Sequence, residues 1–555
     1  HWMRHAQRMP VLNQYCLLTK GLSNKIVTKA VKQAVDEYLA GMEHEFIPAC
    51  IMDKYGLSEH NKAMHNIHFP ESMEDYVDAR HRLAFEEFFL FVLATLNLKS
   101  ANERIPNSYI IRNDERTDAF IKSLPYSLTG AQIRTWEEIK ANMAGKHVTS
   151  RLIQGDVGSG KTIIAILSLM NTAFAGYQAA MMVPTEVLAN QQYESITTLF
   201  DKAGIDLKVG LLTGSMTQSA KRKVYRELES GELDIVVGTH ALIQENVVYN
   251  NLALVITDEQ HRFGVNQRKS FSDKGKNPHI IVMSATPIPR TLAIILYGDL
   301  DISIIDELPA NRLPIKNCVV DTSYRIKAYA FISNQIKEGR QCYVICPMVE
   351  ESENIEAENV VDYAAKLREA IPTARIDYLH GKMKPSQKNE IMEKFVRGDT
   401  DVLVSTTVIE VGVNVPNSTV MMVENSERFG LAQLHQLRGR VGRGKHQSYC
   451  IFVTVAKSKQ IKQRLEILNK SNDGFKIAEE DLKLRGPGDF FGIRQSGDFD
   501  FGIADIYTDA ATLKEASDAA KSIVDGLVNV DTEQYGYLKA KVDEYTVKCL
   551  EKINL

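Results

Sequence analysis

A glycine-rich string of eight residues combines the groups that bind nucleotide phosphates. It stands between an apolar run and a helix-forming run, and it reads Gly155, Asp156, Val157, Gly158, Ser159, Gly160, Lys161 and Thr162. Glycines let the backbone wrap closely around phosphates, and the N–H groups of such a loop and of the next helix attract their negative charge. We expect Lys161 to reach the β- and γ-phosphates and the Thr162 hydroxyl to bind Mg²⁺.

A pair of carboxylates ends the apolar run Leu252–Thr257. Asp258 is placed to hold Mg²⁺ through water, and Glu259 is placed to polarise the water that attacks the γ-phosphate. Two adjacent carboxylates at the end of a buried strand suit metal-assisted phosphoryl transfer. The same pair on a surface loop would carry little information, but behind a phosphate loop it predicts a nucleotide-hydrolysing site.

Short apolar runs alternate with helical stretches in two successive parts of the chain. The first part contains Ile153, Met181–Val183, Ile235–Val237, Leu254–Ile256 and Ile280–Met283, and the second contains Tyr343–Ile345, Val402–Val404, Val420–Val423 and Cys450–Val453. This alternation predicts an α/β fold with two parallel sheets, each covered by helices and carrying its site at the carboxyl ends of the strands. The proline-marked segment Leu308–Pro314 is the expected linker, and Ser72 with Asp75 predicts a capping box before a long helix.

The second predicted sheet has no phosphate loop, so a nucleotide held between the sheets requires cations from it. The string from Gln436 to Arg443 supplies Arg440 and Arg443 between glycines. Arginine is always charged and pairs bidentately with phosphate. We therefore place Gln436 at the nucleotide and expect both arginines to complete the site when the two domains close.

Length and composition set outer bounds on the class of protein. The 555 residues predict three or four domains, and the contents of 44% hydrophobic and 25% charged residues are ordinary for a globular protein. The net charge of −4 argues against a globally basic nucleic-acid binder but permits local basic grooves. The apolar run Phe88–Leu96 is too short for a membrane span. Scattered cysteines without a C-x-x-C pair predict no zinc site and a reducing cytoplasm.

Taken together, these motifs resemble those of superfamily 2 helicases. Leu128–Gln132 looks like their adenine-sensing motif, with Gln132 as the sensor. The resemblance implies two tandem RecA-like domains, an N-terminal helical segment and a C-terminal helical hairpin with a loop that moves DNA. The residues that it places at the nucleic-acid backbone, or between hydrolysis and domain movement, are Thr185, Thr213, Gly214, Thr239, His240, Ser284, Thr286 and Thr407.

Further strings narrow the resemblance to the RecG family of bacterial DNA helicases. Asp258–Gly264 and Ser284–Thr291 are similar to its motifs, and Asp473–Gly497 is similar to its translocation element. The family's coupling residues map onto Arg464, Arg485 and Gln495. The resemblance implies a monomeric cytoplasmic enzyme that uses ATP and Mg²⁺ and remodels branched double-stranded DNA, such as stalled forks and Holliday junctions, with single-strand-binding protein as a partner.

The resemblance also gives expected boundaries. Residues 1–105 form a helical connecting segment, 106–310 the ATP-binding domain, 311–455 the second helicase domain, and 456–555 the translocation hairpin, its loop and a helical end. No alternating β pattern precedes residue 20, so we expect the motor without the family's N-terminal wedge, which leaves fork preference open. Asn414 stands where the family usually has Asp.

Two alternatives remain at this point. One is a translocase of the Mfd type, which pushes RNA polymerase; Gln260 and Arg485–Gly488 disfavour it, because Mfd typically has Glu at the first position. The other is a binding protein in which ATP only switches affinity. Glu259 and the two arginines of the second domain disfavour that reading, because a pure switch needs neither.

Overall fold

The structure, a computed structural model, describes residues 24–42, 45–102, 105–258, 271, 274–285, 300–309, 312–347, 360–406, 413, 415–456, 458–485, 501–505, 509–527 and 532–553. The chain divides into two compact units. The first comprises residues 1–101, 290–299 and 485–555, and the second comprises residues 102–289 and 300–484. The domain boundaries expected from the sequence stay a prediction.

The described part of the first unit opens with four helices. They are α1 (Asn24–Met42), α2 (Ala49–Tyr55), α3 (His60–His68) and α4 (Met73–Asn102). The predicted capping box stands before α4: the Ser72 N–H donates to the Asp75 carboxylate (3.0 Å), and the Asp75 N–H donates to Ser72 Oγ (3.1 Å). Phe85, Phe88 and Phe89 on α4 are fully buried, so this helix supplies the centre of the unit's core.

The second unit contains both sheets. Its first part comprises α5 (Glu115–Ser123), α6 (Gly130–Met143), β1 (Ser150–Gly155), α7 (Lys161–Phe174), β2 (Gln178–Met182), α8 (Glu186–Ala203), β3 (Val209–Leu212), α9 (Gln218–Ser230), β4 (Ile235–Gly238), β5 (Leu252–Asp258), β6 (His279–Ser284) and β7 (Asp301–Ile305). The strands are all parallel, in the order β3-β4-β2-β5-β6-β1-β7. The carboxyl ends of β1 and β5 therefore reach the same edge, one strand apart.

A second parallel sheet follows in the same unit. It is built from β8 (Lys316–Asp321), α10 (Arg325–Lys337), β9 (Gln341–Ile345), α11 (Val360–Ala370), β10 (Ile376–Leu379), α12 (Pro385–Arg397), β11 (Val402–Ser405), β12 (Ser418–Val423), α13 (Leu431–Arg438) and β13 (Tyr449–Thr454). The strand order is β10-β11-β9-β12-β13-β8. All nine strands predicted from the sequence are present, and the two-sheet α/β fold is confirmed.

Two helices continue the second unit beyond the sheet, α14 (Lys459–Lys470) and α15 (Gly474–Arg485). The first unit then resumes with α16 (Ala510–Val524) and α17 (Thr532–Ile553), which join α4 in one core. The Glu87 carboxylate accepts the N–H groups of Gly502, Ile503 and Ala504, and Arg80 forms a two-pronged ion pair with Asp509. Within the described ranges, every helix is either too short or too charged to cross a membrane.

Candidate functional site

A tight loop joins the end of β1 to the first turn of α7. Gly158 and Gly160 hold φ angles of +80° and +85°, which residues with side chains rarely adopt. A Cβ on Gly155 would lie 2.6 Å from Ser159 Oγ and 3.0 Å from Ile305 O, so this position admits only glycine. The buried helix α7 directs the N–H groups of its first turn back toward the loop. The loop geometry thus suits a bound anion.

Cationic and oxygen-bearing side chains gather at this loop. Lys161, the first residue of α7, donates from Nζ to Gly155 O (2.7 Å) and to Asp156 O (2.9 Å). Thr162 follows on the same turn and is half-buried, as is Asp258, the last residue of β5. The hydroxyl and the carboxylate are hard oxygen donors of the kind that Mg²⁺ prefers.

The turn after α13 lies directly against the loop. A Cβ on Gly439 would approach Val157 Cβ to 2.5 Å, so the two backbones meet closely. Gln436 and Arg440 beside it are buried, and Arg443 is half-buried with its Nε donating to Gly439 O at 3.1 Å. The structure thus brings the second-sheet string to the phosphate loop, as the sequence predicts.

The linker adds a further arginine that the sequence reasoning missed. Arg312 donates from Nη1 to Val157 O, and burial lowers its pKa. Burial also lowers the pKa of Arg443. Arg440 and Arg312 lower it further by repulsion, whereas Asp258 acts in the opposite direction. Mutual repulsion among buried and half-buried cations is relieved by an anion, so this cluster is matched to a polyphosphate.

The Asp156 carboxylate connects the loop to the second sheet's helices. Its Oδ1 accepts from Nε2 of His435, and its Oδ2 accepts the Gly474 N–H at 3.1 Å. Arg438 lies 2.5 Å from Nδ1 of His435 and also donates to the Ser471 carbonyl. Burial opposes ionisation of Asp156, but these bonds outweigh it and lower its pKa. A charged carboxylate therefore sits at a three-way contact.

Gln132 contacts the phosphate loop from the other side. Its Oε1 accepts the Thr129 N–H at 2.9 Å, which completes a capping box at the start of α6. Its Nε2 donates to Ser159 O at 2.9 Å, and the side chain is buried. The predicted adenine sensor is thus fixed to the backbone of the phosphate loop, a contact that the sequence reasoning did not foresee.

The residues expected at nucleic acid follow strands that end at one edge of the first sheet. Thr185 caps α8 after β2, and its Oγ accepts the Leu188 N–H at 3.4 Å. Thr213 and Gly214 follow β3, Thr239 and His240 follow β4, and Ser284 ends β6. Parallel strands place all of these residues at the same edge as the phosphate loop. Their role at nucleic acid stays a prediction.

The predicted coupling residues lie on α14 and α15 or outside the described ranges. Arg464 lies on α14, where its Nη2 donates to the carbonyls of Glu427 (2.8 Å) and Phe429 (3.1 Å). Arg485 is the last residue of α15. The predicted residues outside the described ranges are Glu259, Thr286, Thr407, Asn414 and Gln495.

Three contacts at the loop come from residues that the sequence reasoning did not assign. They are made by Arg312, His435 and Gly474, and Arg438 supports one of them by bonding His435. His435 and Arg438 stand in or beside the string that supplied Gln436 and Arg440, so their proximity to a phosphate site was a usable signal. Arg312 and Gly474 had no such signal, because their neighbours in the chain carry no phosphate motif.

A phosphate loop on one parallel sheet, faced by arginines from a second parallel sheet, defines the two-lobed ATPase motor of helicases. The DEAD/DEAH box helicase model matches residues 129–295, and the helicase conserved C-terminal domain model matches residues 326–445. A third model, ATP-dependent DNA helicase RecG, domain 3, C-terminal, matches residues 471–552.

Individual relatives extend this similarity over most of the chain. The chain is 46% identical over 509 residues to ATP-dependent DNA helicase RecG of Streptococcus pneumoniae, covering 91% of this chain and 75% of the relative. It is 44% identical over 502 residues to the same helicase of Bacillus subtilis, covering 90% of this chain and 73% of the relative. A solved structure of RecG bound to a three-way DNA junction superposes with a TM-score of 0.73 and 38% identity, over 91% of this chain and 65% of that chain.

The chain belongs to the ATP-dependent DNA helicase RecG family. It is therefore an ATP-dependent DNA helicase, and the resemblance inferred from the sequence is confirmed. The match of residues 471–552 to a RecG domain decides against the Mfd alternative.

Proposed function

We propose that the chain remodels branched double-stranded DNA, such as stalled forks and Holliday junctions, by translocation driven by ATP hydrolysis between its two sheets. The observation that carries this proposal is that Arg312 and the turn that carries Arg440 and Arg443 both meet the phosphate loop at Val157. A nucleotide that neutralises these cations holds the two sheets together, and its loss releases them. The solved RecG relative that is bound to a three-way junction supports the choice of substrate.

Hydrolysis is assigned to residues at the carboxyl edge of the first sheet. The loop N–H groups and Lys161 bind the β- and γ-phosphates, and Glu259 orients and polarises the attacking water. Arg440 and Arg443 stabilise the negative charge that develops on the transferred phosphoryl group. Gln132 and Gln436 help to fix the nucleotide at the two sides of the cleft.

Mg²⁺ fits the donor set of this site. The Thr162 hydroxyl in the first turn of α7 and the Asp258 carboxylate at the end of β5 are hard oxygen donors that would hold the ion, Asp258 through water. When bound, Mg²⁺ supplies positive charge that neutralises the phosphate oxygens. Among the described residues no group of three or more His, Cys, Asp and Glu side chains could hold a metal.

The DNA path is assigned to the same edge of the first sheet. Small hydroxyls and exposed N–H groups bind the sugar–phosphate backbone without reading its sequence. The proposed contributing residues are Thr185, Thr213, Gly214, Thr239, His240, Ser284 and Thr286, together with Thr407. Arg464, Arg485 and Gln495 couple the movement of the sheets to the DNA.

A matched pair of lysine variants tests the proposal. Lys161→Ala removes the phosphate-binding cation and no core volume, so we expect it to abolish DNA-stimulated ATP hydrolysis and the separation of a synthetic three-way junction. Lys208→Ala is the control, because Lys208 is exposed, precedes β3 at the opposite edge of the sheet and pairs with the surface residue Glu232. Near-normal turnover by Lys161→Ala would contradict the assignment. A wild-type chain that binds ATP and DNA but hydrolyses nothing would favour the nucleotide-gated binding protein instead.

The remaining parts of the proposal rest on the family resemblance. We propose a monomer that works in the bacterial cytoplasm and contacts single-strand-binding protein at its substrate. Light scattering of the chain alone and on a junction measures its oligomeric state. Fluorescence anisotropy with a labelled single-strand-binding protein measures the second contact, and a flat titration would contradict it.

A further inference from the structure

One carboxylate at the phosphate loop serves three hydrogen-bond donors in separate places. Asp156 accepts the N–H of the next residue, Val157, at 2.6 Å, Nε2 of His435 on α13, and the N–H of Gly474 at the start of α15. The Asp156 side chain is 12% exposed, so these bonds lie largely away from solvent. The second residue of the phosphate loop is thus bonded directly to two helices that follow much later in the chain.

The protonation pattern of this contact follows from its donors. A guanidinium only donates, so the 2.5 Å contact between Arg438 and Nδ1 of His435 makes Nδ1 an acceptor. The ring proton then lies on Nε2 and points to Asp156. Burial lowers the pKa of His435, and the nearby Arg438 and Arg312 lower it further against the opposing effect of Asp156. The pair is a carboxylate and a neutral imidazole.

Arg438 and Asp156 also fix the turn between α14 and α15. Arg438 donates to Leu468 O (3.2 Å) and Ser471 O (2.9 Å), which end α14 and begin the turn. Asp473 caps the next helix by accepting the N–H groups of Phe475 and Lys476, while the Gly474 N–H goes to Asp156. The turn is therefore held at one end through Arg438 and at the other through Asp156.

Nucleotide binding acts on this contact through Lys161. The Lys161 ammonium donates to Asp156 O at 2.9 Å, and a polyphosphate competes for the same ammonium. An ammonium that turned to phosphate would release one restraint on the Asp156 peptide, and a shift of this peptide would carry the carboxylate with it. Three polar partners, all buried or nearly so, must then follow or break, which gives the two discrete arrangements that coupling requires.

We propose that Asp156 is a positioning residue that transmits the state of the phosphate loop directly to the α14–α15 turn and so to the start of the segment that resembles the translocation element. This route adds to any transmission through the second-sheet arginines. It rests on the proposed function, because it assumes that ATP hydrolysis is used to separate branched DNA.

Two substitutions of Gly474 isolate its hydrogen bond to Asp156. Gly474→Pro removes the N–H that Asp156 accepts, and proline is tolerated at the first position of a helix, where φ is already negative. Gly474→Ala also adds a Cβ but keeps the N–H. We expect Gly474→Pro to raise the ATP hydrolysed per three-way junction separated on the order of tenfold, the worth of a hydrogen bond to a charged acceptor, and Gly474→Ala to stay near the wild-type ratio.

A second variant approaches the carboxylate from α13. His435→Gln should raise the same ratio, with His446→Gln as the control because His446 is exposed and contacts Arg340. Since His435 and Gly474 bind one carboxylate, we expect the double variant to be little worse than the poorer single variant. His435→Gln and its control His446→Gln also test the proposal if circular dichroism shows that Gly474→Pro does not fold.

The outcomes test the role of Asp156 and the proposed function separately. Equal ratios for Gly474→Pro and Gly474→Ala, additive losses in the double variant, or hydrolysis and separation that fall in proportion would overturn the role of Asp156. A wild-type chain that cannot separate the junction with ATP would instead overturn the proposed function.

Discussion

Gln132→Glu isolates the contact between α6 and the phosphate loop. Glutamate at the third helical position keeps the capping box, because its carboxylate still accepts the Thr129 N–H and suits the positive end of a helix. The second carboxylate oxygen, however, replaces the donor that lies 2.9 Å from Ser159 O. Two acceptors then face each other in a site that is 3% exposed.

The size of the effect on ATP binding follows from the loss of the donor to Ser159 O. Leaving a buried acceptor without its donor costs about 1–3 kcal/mol. The phosphate loop can avoid this cost by changing its conformation. We therefore expect the lost free energy to appear in nucleotide binding and little of it in the free energy of unfolding. Because about 1.4 kcal/mol corresponds to a factor of ten, we expect the KM for ATP to rise about 5- to 150-fold. The thermal midpoint should stay close to that of the wild type.

Steady-state ATPase assays at several pH values provide the measurement. A buried carboxyl group has a raised pKa, and its protonated form donates to Ser159 O as the amide does. The KM defect of Gln132→Glu should therefore shrink as the pH falls, whereas that of Gln132→Ala should not. Gln387→Glu is the matched control, because Gln387 occupies the same helical position on the exposed face of α12.

Two results would refute this reasoning. One is a normal KM for Gln132→Glu, and the other is a defect that is the same at every pH. The assay also separates the loop contact from the adenine-sensing role implied by the family. A loop contact weakens ATP and GTP equally, whereas an adenine contact changes the ratio between them.

Three further predictions concern hydrolysis and coupling. Glu259→Gln should keep ATP binding and slow cleavage by about 10²–10⁴-fold, measured by single-turnover hydrolysis; loss of binding would make Glu259 structural. Arg443→Ala should lower kcat far more than ATP affinity, because the contact of Arg443 with phosphate strengthens in the transition state. Arg397→Ala, at an exposed arginine, is the control. A loss of ATP affinity that explains the whole defect would contradict this prediction. Arg485→Ala and Gln495→Ala should keep DNA binding and much of the ATPase but abolish junction unwinding, and a proportional fall in both activities argues against a lever.

The sequence predicted the interior of both sheets and missed their edges. The nine predicted strands are all flanked on both sides by other strands, and residues such as Leu254 and Val404 on them are fully buried. The four strands without a prediction are β3, β7, β8 and β10, which are the four edges of the two sheets. An edge strand is covered less, as the half-exposed β8 shows, so its residues need not form a continuous apolar run.

The residues of the candidate site also fall into those that the sequence predicts and those that it does not. Lys161, Asp258 and Arg443 could be predicted because phosphate and metal chemistry restrict the residue types and their spacing. Arg312 and Gly474 could not, because each contributes through one contact that exists only after the chain has folded. A backbone N–H, as at Gly474, leaves no trace in residue type at all.

The donors around the loop explain how its inner face becomes specific for an anion. A peptide group is planar and trans, so its C=O and N–H point in opposite directions. Arg312 binds Val157 O and Gln132 binds Ser159 O from outside the loop. Each bond turns the carbonyl outward and thereby aims the next N–H, that of Gly158 or Gly160, inward. The positive φ angles at these glycines are the conformations that allow this turn. The cradle for phosphate is therefore set by side chains that need not touch the nucleotide, which is why removing a single outer donor should weaken ATP binding.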